Sequence, residues 1–245
     1  MGPIEMLFEL MDEPMAHSAP LECYLHDLSI SKTEFYDLKD KSICLIGGGK
    51  SPIKKGLIDN GIKNCAVTNI EPNFAAEDYD IQDSLIKESL FDIDFKQHEN
   101  RFNEVWSRCS LPHQAKTWQE SFLSFLIPLM MSKKGGKVRI FPVNNSVLPG
   151  LSFLPSAGVH VDVKQFEGIN VGFYHEKTMA LFMSMGLLQK EMVPTVNDIL
   201  NKKVPEFALD SGIFGQGKQS LVTLHKHNFF NDWKILEMIR RLQVH

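Results

Sequence analysis

The stretch Ser42-Ile43-Cys44-Leu45-Ile46-Gly47-Gly48-Gly49-Lys50-Ser51-Pro52 runs an apolar strand into three consecutive glycines. Residues without a Cβ let the backbone turn sharply and come close to a ligand. The helix expected from Pro52 to Asn60 aims its N-terminal amides into the same space. The next apolar run, Asn64-Cys65-Ala66-Val67-Thr68-Asn69-Ile70, reads as a second strand and ends at Glu71-Pro72. A carboxylate about 20 residues past such a glycine turn can accept hydrogen bonds from both hydroxyls of a ribose. The leading reading is a β-α-β unit that holds an adenosine group.

Three kinds of cofactor use this layout. A phosphate-cradling loop needs glycine, four residues, then Gly-Lys-Ser; Gly49-Lys50-Ser51 supplies the end, but Cys44 stands where the first glycine belongs. A dinucleotide fingerprint started at Gly47 and Gly49 would put its third glycine at Pro52, which lacks an amide. What remains is a cofactor with a ribose and no phosphates.

On these residues the chain resembles the class I S-adenosylmethionine-dependent methyltransferases. Leu45 to Ser51 is similar to their glycine-rich first loop, and Glu71 to the acidic residue after their second strand. Phe102-Asn103-Glu104-Val105-Trp106-Ser107-Arg108-Cys109-Ser110-Leu111-Pro112-His113 is similar to the fourth-strand segment of the small-molecule members. A helical run from Ala115 to Ser132, a basic last turn Lys133-Lys134 with Gly135-Gly136 as caps, and a strand over Lys137–Phe141 follow in the family's order. The resemblance covers roughly Lys39 to Pro142, and it lies in the order of the motifs more than in any one of them.

The resemblance implies an α/β fold: a doubly wound, Rossmann-like sheet, mostly parallel with an antiparallel last strand, plus an N-terminal helical leader and a helical insertion. It implies S-adenosyl-L-methionine as cofactor, transfer of its methyl group to a small-molecule acceptor, and cofactor contacts at Gly47, Gly48, Gly49, Lys50 and Ser51, at Glu71 and Pro72, and at Ser107 and Arg108. Asp92 and Ile93, ahead of the fourth strand, stand where the family contacts adenine, with Asp80, Asp83 and Glu88 as competitors. His113 would lie beside the methyl-transfer site, where a neutral imidazole takes a proton from a hydroxyl or amine; the duller reading is a surface histidine. Leu45 and Asn103 stand where the family often carries carboxylates. They leave two alternatives beside the enzyme: a non-catalytic binder of S-adenosylmethionine or S-adenosylhomocysteine acting as scaffold or regulator, and a nicotinamide-dependent oxidoreductase, which Pro52 disfavours.

With 245 residues, 43% hydrophobic and 23% charged, the chain can bury a large core, and one domain with additions uses all of it. A net charge of −4 and short, scattered basic pairs lead to the expectation that nucleic acid is not a partner. The cysteines at 23, 44, 65 and 109 form no close pair and read as reduced thiols of a cytoplasmic protein. Met1 to Met11 carries Glu5 and Glu9 and no positive leader, and Ser121 to Met131 is too short to span a bilayer, so no membrane association is expected.

Along the chain the expected parts are a helical leader or lid (1–37), the cofactor-binding core (38–167), a helical insertion (168–218) whose apolar face reads as core, substrate cap or subunit contact, and a last strand with a closing helix (219–245). Val159 to Phe166 alternates as a half-exposed sixth strand. For the seventh, Gln219 to Lys226 is preferred over Ile169 to Tyr174. Asn228 or Asn231 caps the closing helix, with Trp233, Leu236 and Ile239 expected on its inner side. His225 and His227 share one strand face but lack a third ligand, so no metal site is expected.

Overall fold

The computed structural model describes residues 19–72, 83–112, 114–166, 195–201 and 219–243. Seven strands form one sheet: β1 (Ser42–Ile46), β2 (Ala66–Ile70), β3 (Ser84–Ile86), β4 (Phe102–Arg108), β5 (Ser132–Asn144), β6 (Val159–Phe166) and β7 (Gln219–Lys226). Their order is β3-β2-β1-β4-β5-β7-β6. The first five pair in parallel, and β7 runs antiparallel to both of its neighbours. The seventh strand is therefore the later of the two candidates, inserted between β5 and β6.

Alternation along the strands fills two cores. Ile43 and Leu45 of β1 point to one face, Cys44 and Ile46 to the other, as the period of two requires. The first face packs against α1 (Leu21–Asp27), α2 (Lys32–Tyr36), α3 (Ile53–Asp59) and α5 (Val196–Leu200). The second packs against α4 (Trp118–Met131) and α6 (Asp232–Gln243). Several of these helices start at a side-chain cap. Ser31 and Glu34 exchange backbone hydrogen bonds at the start of α2, Thr117 Oγ1 accepts from Glu120 N at 3.1 Å, and Asn231 Oδ1 accepts from Lys234 N at 3.2 Å. The cap of α6 is thus Asn231.

Residues 19–37 belong to the core. Leu21, Leu25, Leu28 and Phe35 are buried against the sheet. Two ionic clusters pin the segment: Arg108 Nε donates to Asp27 Oδ2 at 2.7 Å, and Glu34 Oε1 accepts from Lys137 Nζ at 2.6 Å and from Arg139. Arg139 also donates to the Leu28 carbonyl at 3.0 Å and to the buried Glu104 at 3.3 Å. Residues 1–18, 73–82, 167–194 and 202–218 lie outside the described residues, and with them most of the expected cap.

Two expectations are corrected. The run Lys133-Lys134-Gly135-Gly136 does not cap α4; the helix stops at Met131 and β5 begins at once. Ser132 is already extended and pairs with Phe102, and its hydroxyl donates back to the Leu129 carbonyl at 2.9 Å. A Cβ on Gly136 would meet the carbonyls of Lys133 and Asn103 at 2.8 and 2.9 Å, so glycine serves the close approach at the β4–β5 irregularity. Trp233 is 66% exposed, with Arg240 stacked over its ring, while Ile235 and Ile239 form the inner side of α6. Among the described residues no helix is long and apolar enough to cross a membrane.

Candidate functional site

Three neighbouring strands, β2, β1 and β4, deliver Glu71, the glycine turn and residues 108–112 to one edge of the sheet. This is the carboxyl edge, where open α/β sheets take ligands. Gly47 and Gly49 hold φ of 65° and 53°, the left-handed region that favours glycine. Gly48 is constrained differently, because a Cβ there would lie 2.8 Å from Asn69 Oδ1.

The amides of this turn are taken by the protein itself. Gly47 N donates to the Ile70 carbonyl at 2.9 Å, Gly48 N to Asn69 Oδ1 at 3.2 Å, Gly49 N to Glu71 Oε2 at 3.2 Å and Ser51 N to the Gly48 carbonyl at 3.0 Å. Asn69 Nδ2 returns a hydrogen bond to the Gly49 carbonyl at 3.0 Å. A phosphate cradle works by offering such amides to the ligand. Here they brace the turn, and the group presented at the edge is a carboxylate whose oxygens carry two lone pairs each. That acceptor suits hydroxyl groups and not phosphates. Pro52 sits at the start of α3 with no amide to give.

Beyond β4 the chain folds back over the turn. Cys109 adopts a left-handed φ of 56°, and its amide donates to the Phe141 carbonyl at 2.7 Å. The next residue, Ser110, comes so close to Gly47 that a Cβ at 47 would lie 2.0 Å from Ser110 Oγ, with Gln114 Nε2 at 3.4 Å. Ser110 is 2% exposed, and its hydroxyl has no hydrogen-bond partner among the described residues.

The sequence-derived residues divide accordingly. Gly47, Gly48, Gly49 and Glu71 come together, with Lys50 and Ser51 closing the turn and Pro72 following the carboxylate. Ser51 is buried, with its Oγ 3.4 Å from the Tyr24 hydroxyl. Ser107 is buried and its Oγ accepts from Leu111 N at 3.0 Å, closing the turn after β4. Arg108 faces the leader: it is buried against Asp27, with its guanidinium 5.9 Å from the centre of the Tyr24 ring. Ile93 is packed in the second core and Asp92 is exposed. His113 lies outside the described residues.

Burial sets the chemistry of the titratable groups beside the turn. It pushes the Tyr24 hydroxyl up to about 12 and the Cys109 thiol up to about 11, the nearby Arg108 charge lowering both only in part. Both groups are therefore neutral at physiological pH, and Cys109 is no thiolate nucleophile. Among the described residues no cluster of histidine, cysteine or carboxylates could hold a metal. Leu45 is a core residue, and Asn103 lies at the opposite end of β4, where its Oδ1 accepts from Ser42 N at 3.0 Å and Lys133 Nζ at 3.2 Å. Its departure from the family pattern is thus remote from the glycine turn. Sequence reading passed over Tyr24, Asp27 and Ser110; only Ser110, inside the segment quoted for the fourth strand, carried a signal.

No known family profile matches the chain, and no curated protein matches it. Solved structures do resemble it. A chain of the complex joining the Haloferax volcanii Trm112 methyltransferase activator to a protein assigned as a methyltransferase aligns at 13% identity and TM-score 0.48, over 92% of this chain and 96% of that one. The 16S rRNA (adenine(1408)-N(1))-methyltransferase of Catenulisporales acidiphilia aligns at 10% identity and TM-score 0.43, over 80% and 93%. The Haemonchus contortus phosphoethanolamine N-methyltransferase 2, solved with S-adenosylhomocysteine, aligns at 12% identity and TM-score 0.45, over 85% and 57%.

The presence of rRNA methyltransferases among these neighbours corrects the expectation that nucleic acid is excluded as a partner. A net charge of −4 averages the whole surface, whereas RNA is met by one face, and the average does not report on that face. Five parallel strands in the order β3-β2-β1-β4-β5, completed by an antiparallel β7 between β5 and β6, give this chain the Rossmann-like fold of the class I S-adenosylmethionine-dependent methyltransferases.

Proposed function

We propose that the chain binds S-adenosyl-L-methionine across the carboxyl ends of β2, β1 and β4 and directs its methyl group to an acceptor. The observation that carries this reading is the glycine turn whose amides are spent on Ile70, Asn69, Glu71 and Gly48. Such a turn admits a ligand closely without cradling phosphate, beside a carboxylate suited to ribose hydroxyls. In this reading Glu71 takes the ribose, Gly47, Gly48 and Gly49 allow the close approach, and Lys50, Ser51 and Pro72 shape the rim. Asp92 and Ile93 flank the adenine side. Ser107 and Arg108 act at the end of β4 by fixing its turn and by tying it to the leader helix.

When bound, the cofactor supplies a methyl group already activated on a sulfonium. In-line displacement of this kind gains mainly from positioning, so the chain's task is to fix the turn, shield the site and align the acceptor. His113, three residues past Ser110, is the candidate to take a proton from the acceptor.

Calorimetric titration with S-adenosylhomocysteine, NAD and ATP tests the binding, with heat expected from the first alone. Heat from NAD or ATP and none from the sulfur cofactor overturns the reading. Labelled methyl followed from the cofactor into a metabolite extract and into total RNA then assigns the class of acceptor. Tight cofactor binding with no label in either fraction points instead to the scaffold role.

A further inference from the structure

We infer that the outer edge of β6 pairs with its own copy, joining two molecules antiparallel about Val163 into one continuous sheet. Among the described strands β6 has β7 as its only neighbour and closes the sheet on that side. Its eight residues run in one unbroken register, from Val159 opposite Lys226 to Phe166 opposite Gln219, with no proline, glycine or bulge. Prolines, bulges and very short length are the usual means of blunting a sheet edge, and none is used here. The backbone groups that alternate toward the outer side therefore form a regular row, which is what an added strand requires. His160, Asp162, Val163, Lys164 and Gln165 are exposed, Val163 to 39%.

The side chains select the occupant. Val161 packs against the second core, so by alternation Val163 shares its face, while Asp162 and Lys164 stand on the first, where Lys164 Nζ donates to Ser29 Oγ at 2.9 Å. In a two-fold antiparallel pair about Val163, that exposed valine meets its twin. Asp162 then lies opposite Lys164 of the second copy, and Lys164 opposite its Asp162. Opposite charges set across a strand pair favour it, and like charges oppose it. An ammonium carries three donors and can serve Ser29 and a carboxylate together. Other registers fare worse. An axis at Asp162 or at Lys164 sets like charges face to face, and an axis at Val161 sets Lys164 against Gly158, which is left-handed and lies before the strand. The charges that guard this edge against foreign strands thus admit one self-pairing.

Sedimentation of the full chain over a concentration series tests the inference. A single strand pair is a small interface, so a reversible dimer dissociating at about 10–100 µM is expected. Asp162→Lys and Lys164→Asp each turn two attractions into two repulsions and should raise the dissociation constant about tenfold. The double exchange of Asp162→Lys with Lys164→Asp restores both attractions and should return it to within about threefold. An equimolar mixture of the two single variants should form a heterodimer tighter than either homodimer, because every charge then meets its opposite. Both positions are exposed, so melting temperatures should match that of the unaltered chain, and the double exchange controls for folding. An unaltered chain that stays monomeric up to about 500 µM overturns the self-pairing, whatever else covers the edge. A dimer indifferent to the single changes, or one that the double exchange does not restore, overturns it as well.

Discussion

Glu71 Oε2 holds the Gly49 amide at 3.2 Å at the carboxyl edge of the sheet, and in the proposed function the same carboxylate takes the ribose. Glu71→Ala is therefore expected to weaken S-adenosylhomocysteine by about 1.5–3 kcal/mol, the range for charge-assisted hydrogen bonds. Glu71→Gln keeps an acceptor for Gly49 and should fall between the two. Calorimetric dissociation constants check this, and a constant unchanged by Glu71→Ala moves the ribose contact elsewhere. At this scale the sequence was readable where the chemistry is local. Three glycines and a carboxylate after the next strand state a backbone geometry in their own spacing, and Asn69, bonded to both Gly48 and Gly49, stands in the strand they lead to. Ser110 was not legible in the same way. Its meaning depends on the left-handed Cys109, which turns it back over a residue 63 positions earlier, and nothing in the composition of a serine announces that.

Among the elements, the leader helices behave as part of the sheet's first face. Asp27 on α1 and Arg108 at the end of β4 are 81 residues apart in sequence and 2.7 Å apart in space, both buried. Asp27→Ala leaves a buried guanidinium without its counter-charge, and a loss of about 3–5 kcal/mol in denaturant unfolding is expected. The pair replacement Asp27→Leu with Arg108→Met should recover most of it, since two apolar groups leave no charge stranded. A single-variant loss below about 1 kcal/mol would show the pair to be solvated. The second cluster gives a pH dependence. Burial pushes the Glu34 carboxyl up, but the Arg139 charge and the hydrogen bonds from Lys137 and Ser31 outweigh it and hold the group well below the usual carboxylate range. A depressed native value adds stability above the unfolded value, near 4.3, and that stability is lost as pH falls toward the native one. The melting temperature of the unaltered protein should thus fall more steeply below about pH 4 than that of Glu34→Gln. Strand periodicity made β1, β2, β4, β6 and β7 legible, whereas the end of α4 was misread. Lysines and glycines after an apolar run carry the composition of a helix cap, and only the pairing of Ser132 with Phe102 makes them the start of a strand.

For the molecule as a whole, a ligand that binds the folded state alone must raise its stability by mass action. S-adenosylhomocysteine at a hundred times its dissociation constant adds about 2.7 kcal/mol, which for a chain of this size is roughly 5–10 °C in melting temperature. NAD at the same concentration should leave the transition where it was. A mostly parallel sheet with an antiparallel last strand was legible from the family resemblance, and the placement of that strand at Gln219–Lys226 carries a kinetic consequence. Among the described strands, β6 finds its ladder in β7 alone, yet β7 is made more than fifty residues later. During synthesis the parallel half can assemble from β1 to β5 while Val159–Phe166 waits as an unpaired strand between completed sheet and growing chain. Only translation past Lys226 closes both gaps at once, so a nascent chain stalled before that point would present two open strand edges, and a chaperone that shields them would be needed most in that interval.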